Sequence, residues 1–155
     1  MIRIIPYETK YQPDFKRLNL AWLDQYGLTE SHDLKVLNDP DGTIIDHGGC
    51  LFLAMDDDKV IGNAGLEKEK DTTYELVKMT VDPAYRGRGI SKILLDTCIQ
   101  KARELGATRL ILYSNSQLTT ALRLYEQYGF RHIPATGAPF LTADVKMELS
   151  LSPNP

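Results

Sequence analysis

Apolar and polar positions along the chain alternate with two different periods, and the change from one to the other divides it. Ile2 to Tyr7 is short, apolar-rich and closed by Pro6, which predicts a strand. From Pro13-Asp14 onward, Phe15, Leu18, Ala21, Trp22 and Tyr26 recur mostly by threes and fours, the repeat of a helix face. Gly27 stands where such a helix stops. Ser31 to Leu37 predicts a second short helix, broken by Asp39-Pro40-Asp41-Gly42. Two strands, Leu51 to Met55 and Val60 to Leu66, then flank the polar turn Asp56-Asp57-Asp58-Lys59. Glu67 to Thr73 reads as a polar connection leading to a strand from Tyr74 to Val81.

Beyond Val81 the helical period returns. Ile90, Ile93, Leu94, Cys98, Ala102 and Leu105 lie on one face of an amphipathic helix that Gly106 ends. Arg109 to Tyr113 is the next strand, Thr119 to Tyr128 a further helix, and Val145 to Leu151 a final alternating strand. Strands that cluster first and then alternate with helices predict an α+β or α/β domain, a mixed sheet with helices on both faces. One domain over 1–151 with a frayed tail at 152–155 is expected for a chain of 155 residues.

Composition narrows the class. With 43% hydrophobic and 25% charged residues, the chain has enough apolar side chains for an ordinary core. Its longest apolar run, Leu51 to Met55, is strand-length, and the N-terminus carries no basic segment followed by a long apolar one. A soluble, cytoplasmic protein with no membrane partner is the expectation. A formal charge of −3 with intermixed signs gives no basic face for nucleic acid. Cys50 and Cys98 are far apart, and His32, His47 and His132 are scattered. No metal-ligand spacing arises, and reduced, structural cysteines are expected.

The chemistry concentrates in Val81-Asp82-Pro83-Ala84-Tyr85-Arg86-Gly87-Arg88-Gly89-Ile90-Ser91. A strand ends, Asp-Pro turns the chain, and two glycines precede a helix. Glycine admits unusual dihedrals and close approach of a ligand. The unpaired N–H groups of the helix's first turn form an anion site, to which Arg86, Arg88 and Lys92 add charge. A phosphate-bearing ligand is the expectation from these features, beside the alternative of a glycine-rich turn with solvated basic residues. The dinucleotide fingerprint fails because its third glycine position is Lys92, and the P-loop pattern is absent.

With Arg86, Gly89 and Ser91 the segment resembles the acetyl-CoA motif Gln/Arg-x-x-Gly-x-Gly/Ala of the GCN5-related N-acetyltransferases, the GNAT superfamily. Ser91 departs from Gly/Ala but is small. A second element of that family, Ala-Leu-x-Leu-Tyr-x-x-x-Gly-Phe, is matched by Ala121 to Phe130. The family often carries Asn three residues before that alanine. Leu118 stands there instead, with Asn115 nearby as a substitute. The resemblance covers Tyr74 to Phe130 closely, and the N-terminal half in element order.

The resemblance implies a GNAT-like mixed sheet, acetyl-CoA as cosubstrate without a metal, and transfer of acetyl to a primary amine of a small molecule or protein within a ternary complex. The pyrophosphate of CoA would lie on the amides of Arg86, Gly87, Arg88, Gly89, Ile90 and Ser91, with Asn115 assisting. The pantetheine arm would pair like a strand with Met79, Thr80 and Val81, which needs two parallel strands to splay. Glu75, at the start of the preceding strand, is the base candidate. Its parity with Val77, Met79 and Val81 places it on an apolar face, where burial raises a carboxyl pKa. Tyr125 is the candidate acid for the thiolate, and a strand amide, of Met79 or Thr80, the oxyanion donor. The acceptor would meet the N-terminal helices and loops, where Trp22, Tyr26, His32, Asp46 and His47 lie. Two alternatives stay open: a non-catalytic acyl-CoA-binding or sensing module on the same fold, and association as a homodimer.

Overall fold

The computed structural model describes residues 1–138 and 141–151, so the expected tail at 152–155 lies outside the described residues. Seven strands form one sheet in the order β1-β2-β3-β4-β5-β7-β6. They are β1 (Ile2–Pro6), β2 (Cys50–Asp56), β3 (Lys59–Lys70), β4 (Thr73–Val81), β5 (Arg109–Ser114), β6 (Arg131–Ile133) and β7 (Val145–Ser150). Four α-helices join them: α1 (Gln12–Tyr26), α2 (Ser31–Asn38), α3 (Ile90–Glu104) and α4 (Thr119–Gln127). All ladders are antiparallel except that of β4 with β5.

Alternation along β2 divides the core in two. Leu51, Leu53 and Met55 pack on Phe15 and Leu23 of α1 and Leu37 of α2. Cys50, Phe52 and Ala54 face the other cluster, which contains Ile90, Leu94, Leu95, Cys98 and Ala102 of α3 together with Tyr125 and Phe130. Burying a Leu or Ile side chain contributes roughly 1.5–3 kcal/mol, so the apolar stripe of α3 is what fixes that helix on the sheet. α1 ends at Gly27, whose φ of 67° is left-handed.

Two expectations are corrected, and one strand is added that the sequence did not mark. Glu67 to Thr73 is not a loop: β3 runs to Lys70 and pairs with β4 through Lys70 and Thr73. Its charged end, Glu67-Lys68-Glu69-Lys70, is a solvent-facing extension of a hairpin, so polarity concealed the strand. β6, only Arg131–Ile133, is too short to leave a periodic signal, and it pairs with β7. The second correction concerns parity. Gly65 stands opposite Val77 and Asn63 opposite Thr80, so two steps along β3 match three along β4. The extra residue is a bulge at Lys78, whose φ of 53° is left-handed. A bulge shifts the alternation by one. Tyr74, Leu76 and Val81 belong to the α3-side cluster, whereas Thr80 bonds to Asn19 of α1. Glu75 therefore does not share a face with Met79 and Val81. It lies on the α1/α2 side.

Candidate active site

The β4–β5 ladder covers only Thr73 to Glu75 against Arg109 to Ile111. Beyond it β4 continues to Val81 and β5 to Ser114, and the two strands part. The gap is a cavity of about 140 Å³ that passes between the layers. Asn19, Trp22 and Val36 line it from one face of the sheet, Ala121 and Tyr125 from the other. Glu75 sits at its apex, where pairing ends.

Met79, Thr80, Leu118 and Ala121 also line an outer cleft of about 540 Å³. Its floor carries Val81, Arg86, Gly87, Gly89, Ile90 and Ser91. Gly87 and Gly89 have φ of 78° and 75°, and Gly89 caps α3, so the turn requires the dihedrals glycine allows. No atom lies within 4 Å of where a Cβ would be at either glycine, so the backbone is open to an approaching ligand. With the first-turn amides of α3 and the cations Arg86, Lys92 and Arg123 on the same cleft, this surface suits a polyphosphate. Arg123, the variable residue within Ala-Leu-x-Leu-Tyr, was not singled out from the sequence. Arg88 instead stacks on Tyr85, 4.9 Å from its ring centroid, while the Tyr85 hydroxyl donates to Asp56 at 2.6 Å. Asn115 lines the inner cavity, where its amide donates to the Thr142 carbonyl at 2.7 Å and its Oδ1 accepts from the Gln117 N–H at 3.0 Å.

Glu75 is half-buried and directly opposite Glu67 on β3. Opposed residues in such a pair have Cβ atoms about 5 Å apart. Burial, and then the charges of Glu67 and Glu69, push the Glu75 carboxyl up to about 8, with Lys78 and Lys146 opposing. Burial raises Glu67 as well, against the pull of His32 and Lys78. Glu67, unmarked in the sequence because it looked like loop, lines the same cavity. Tyr125 is 7% exposed and packs edge-on against Phe130, with ring centroids 5.7 Å apart. Burial lifts its phenol far above the ordinary range, so the hydroxyl stays protonated at neutral pH.

The walls are braced. Lys78 Nζ lies 2.5 Å from Asp33 Oδ1, both side chains nearly covered. Asp33 also accepts from the Glu30 N–H at 2.9 Å, and the Glu30 carboxylate accepts from the backbone N–H groups of Leu141 and Thr142. Among the expected acceptor residues, Trp22 and His32 line the inner cavity and Tyr26 the outer cleft. His47 borders a polar hollow of about 700 Å³, and Asp46 lines none of the three.

A mixed sheet split between two parallel strands, with a glycine loop and a helix N-terminus at the mouth of the split, makes an α+β fold whose cleft suits a phosphate-bearing ligand. The sequence profile of the Acetyltransferase (GNAT) family matches residues 12–130, and the chain belongs to that family. A GNAT-family acetyltransferase from Staphylococcus aureus Mu50 superposes with a TM-score of 0.90 at 24% identity, over 98% of this chain and all of that one. The yncA protein of Salmonella typhimurium, solved with acetyl-CoA, superposes with a TM-score of 0.78 at 20% identity, over 100% of this chain and 96% of that one. Rat N-acetylaspartate synthetase is 36% identical over 90 residues, 57% of this chain and 30% of that protein. The chain thus matches under a third of that relative's length.

Proposed function

We propose that the protein is an N-acetyltransferase that moves acetyl from acetyl-CoA to a primary amine by direct attack in a ternary complex. The observation that carries this reading is the through-sheet cavity. A cleft suited to a phosphate-bearing ligand opens on one side, an acceptor-facing wall lies on the other, and both candidate proton-transfer groups stand between them.

Arg86 to Ser91 and the first turn of α3 hold the pyrophosphate, and the open edge of β4 at Met79 to Val81 pairs with the pantetheine amides. The acceptor enters from the α1/α2 side, where the polar hollow shares His32, Val36 and Glu67 with the inner cavity. Glu75 takes a proton from the ammonium, directly or through water, freeing the nitrogen lone pair to attack the thioester carbon. The Met79 amide steadies the oxygen that gains charge as the carbon becomes tetrahedral. When the C–S bond breaks, Tyr125 donates its proton to the departing thiolate.

Binding is tested by thermal shift with acetyl-CoA, CoA, NAD and ATP. A ligand at a hundred times its dissociation constant stabilises the fold by about 2.7 kcal/mol, a rise of roughly 5 to 10 °C for a chain of this size. Acetyl-CoA and CoA should give that rise, and NAD and ATP should not. Gly89→Asp puts a carboxylate where the phosphates lie and should abolish the rise. An undiminished shift in that variant removes the loop from the binding site. Thiol release with a panel of amines then establishes transfer.

A further inference from the structure

A polar cluster that the proposed chemistry does not use reaches the wall of the cavity at Asn19 and Thr80. Asn63 of β3 is fully buried and Asn19 of α1 almost so. The two amides bond to each other reciprocally: Asn19 Nδ2 donates to Asn63 Oδ1 at 2.9 Å, and Asn63 Nδ2 donates to Asn19 Oδ1 at 3.3 Å. Asn19 Nδ2 also donates to the Phe15 carbonyl at 2.7 Å, and its Oδ1 accepts from Thr80 Oγ1 at 3.1 Å. Asn63 Nδ2 donates to the carbonyl oxygen of Lys78. Every donor and acceptor of both amides is thereby engaged, so neither side chain can turn without leaving a buried polar group unpaired.

Two of these bonds grip β4 on either side of Met79. Lys78 has a left-handed φ that a residue with a side chain adopts only when its surroundings hold it there. The peptide joining Lys78 to Met79 is planar and trans, so its C=O and N–H point in opposite directions. The C=O is held on Asn63, on the β3 side. The Met79 N–H is consequently turned away from β3, toward the split that separates β4 from β5. Met79 lines both the inner cavity and the outer cleft.

We propose that Asn63, clamped by Asn19, is a positioning residue that aims the Met79 amide at the thioester oxygen. It touches neither substrate. It fixes the peptide whose opposite end does. The inference rests on the acetyl-transfer reading above and adds to it the origin of the oxyanion donor.

The test begins with the unaltered protein. In ¹⁵N-resolved NMR, saturating CoA and saturating acetyl-CoA should leave most loop amides in the same positions. The Met79 amide should move downfield with acetyl-CoA alone, because only that ligand carries the thioester oxygen. A Met79 resonance identical in the two complexes overturns the proposal while leaving acetyl-CoA binding intact. Failure of both ligands to bind overturns the acetyl-transfer reading and this inference together.

Asn63→Ser removes the bond to Lys78 and leaves room for water. It should lower kcat about 10- to 100-fold, below the 10²–10³-fold loss from deleting an oxyanion donor outright, with the dissociation constant of CoA unchanged within about twofold. Val60→Ala, in the α1-side core of the same strand, serves as the stability control. If Asn63→Ser melts no higher than Val60→Ala yet keeps kcat within about threefold of the parent, Asn63 is structural and the proposal fails.

Discussion

Tyr125→Phe lowers kcat by roughly 10²–10⁴-fold, the range that a positioned general acid contributes, while acetyl-CoA binds as before. Only one oxygen is removed. Phe keeps the ring in its edge-on contact with Phe130 and in the cluster around α3, so folding has little reason to suffer. Burial holds the phenol protonated, and the same desolvation raises the proton affinity of a thiolate formed beside it. A thiolate is a poorer leaving group without that proton, so the loss falls on the chemical step rather than on binding. Steady-state kinetics with the best amine from the panel, alongside thermal shift with acetyl-CoA, checks both halves. Turnover unchanged in the Phe variant would remove Tyr125 from the mechanism. Wild-type protein that binds acetyl-CoA yet acetylates no amine would point instead to a sensing module.

The sequence disclosed the parts of the site that are local in the chain. Arg86 to Ser91 form a loop because two glycines and a helix start lie within a few residues, and they line the cleft as a unit, Arg88 aside. Tyr125 was marked by its neighbours through Phe130, and both lie in the α3-side core. What stayed hidden depends on registry between strands. The splay after Glu75 is a matter of where a ladder stops, which no residue type encodes. The bulge at Lys78 falls on a residue other than glycine, so no permissive residue announced it, and strand parity assigned Glu75 to the wrong face. Glu67 was hidden by the charged end of β3. Asn19 and Asn63 did leave a trace, as single polar residues within Leu18-Asn19-Leu20 and Ile61-Gly62-Asn63-Ala64. Only the fold turns those two separate anomalies into a bonded pair.

Glu75→Gln should have the second-largest effect, a deficit of about 10²-fold in kcat/KM at neutral pH. Its size should depend on pH in a way that separates a base from a positioning group. On the proposed mechanism the reactive pair in the parent protein is a carboxylate and an ammonium. The rate should rise with pH until Glu75 has ionised near 8, then level off. The Gln variant must wait for free amine, so its rate keeps rising toward the amine's own pKa, about 10 for a lysine-like amine. Between those values the deficit should shrink by as much as a hundredfold. Parallel profiles would make Glu75 a positioning residue. Removing the opposed charge with Glu67→Gln lowers the Glu75 pKa, so the levelling-off should move to lower pH. Stability should respond with the opposite sign. A carboxyl raised from 4.5 to about 8 by folding binds its proton more tightly in the native state, so stability falls as pH rises through that interval. Glu75→Gln cannot ionise, and its melting temperature should stay flatter across the same range and exceed the parent's at pH 8 and above. A variant that gains stability while losing turnover is what a buried base requires, because the desolvation that tunes the group for proton transfer also strains the fold that holds it.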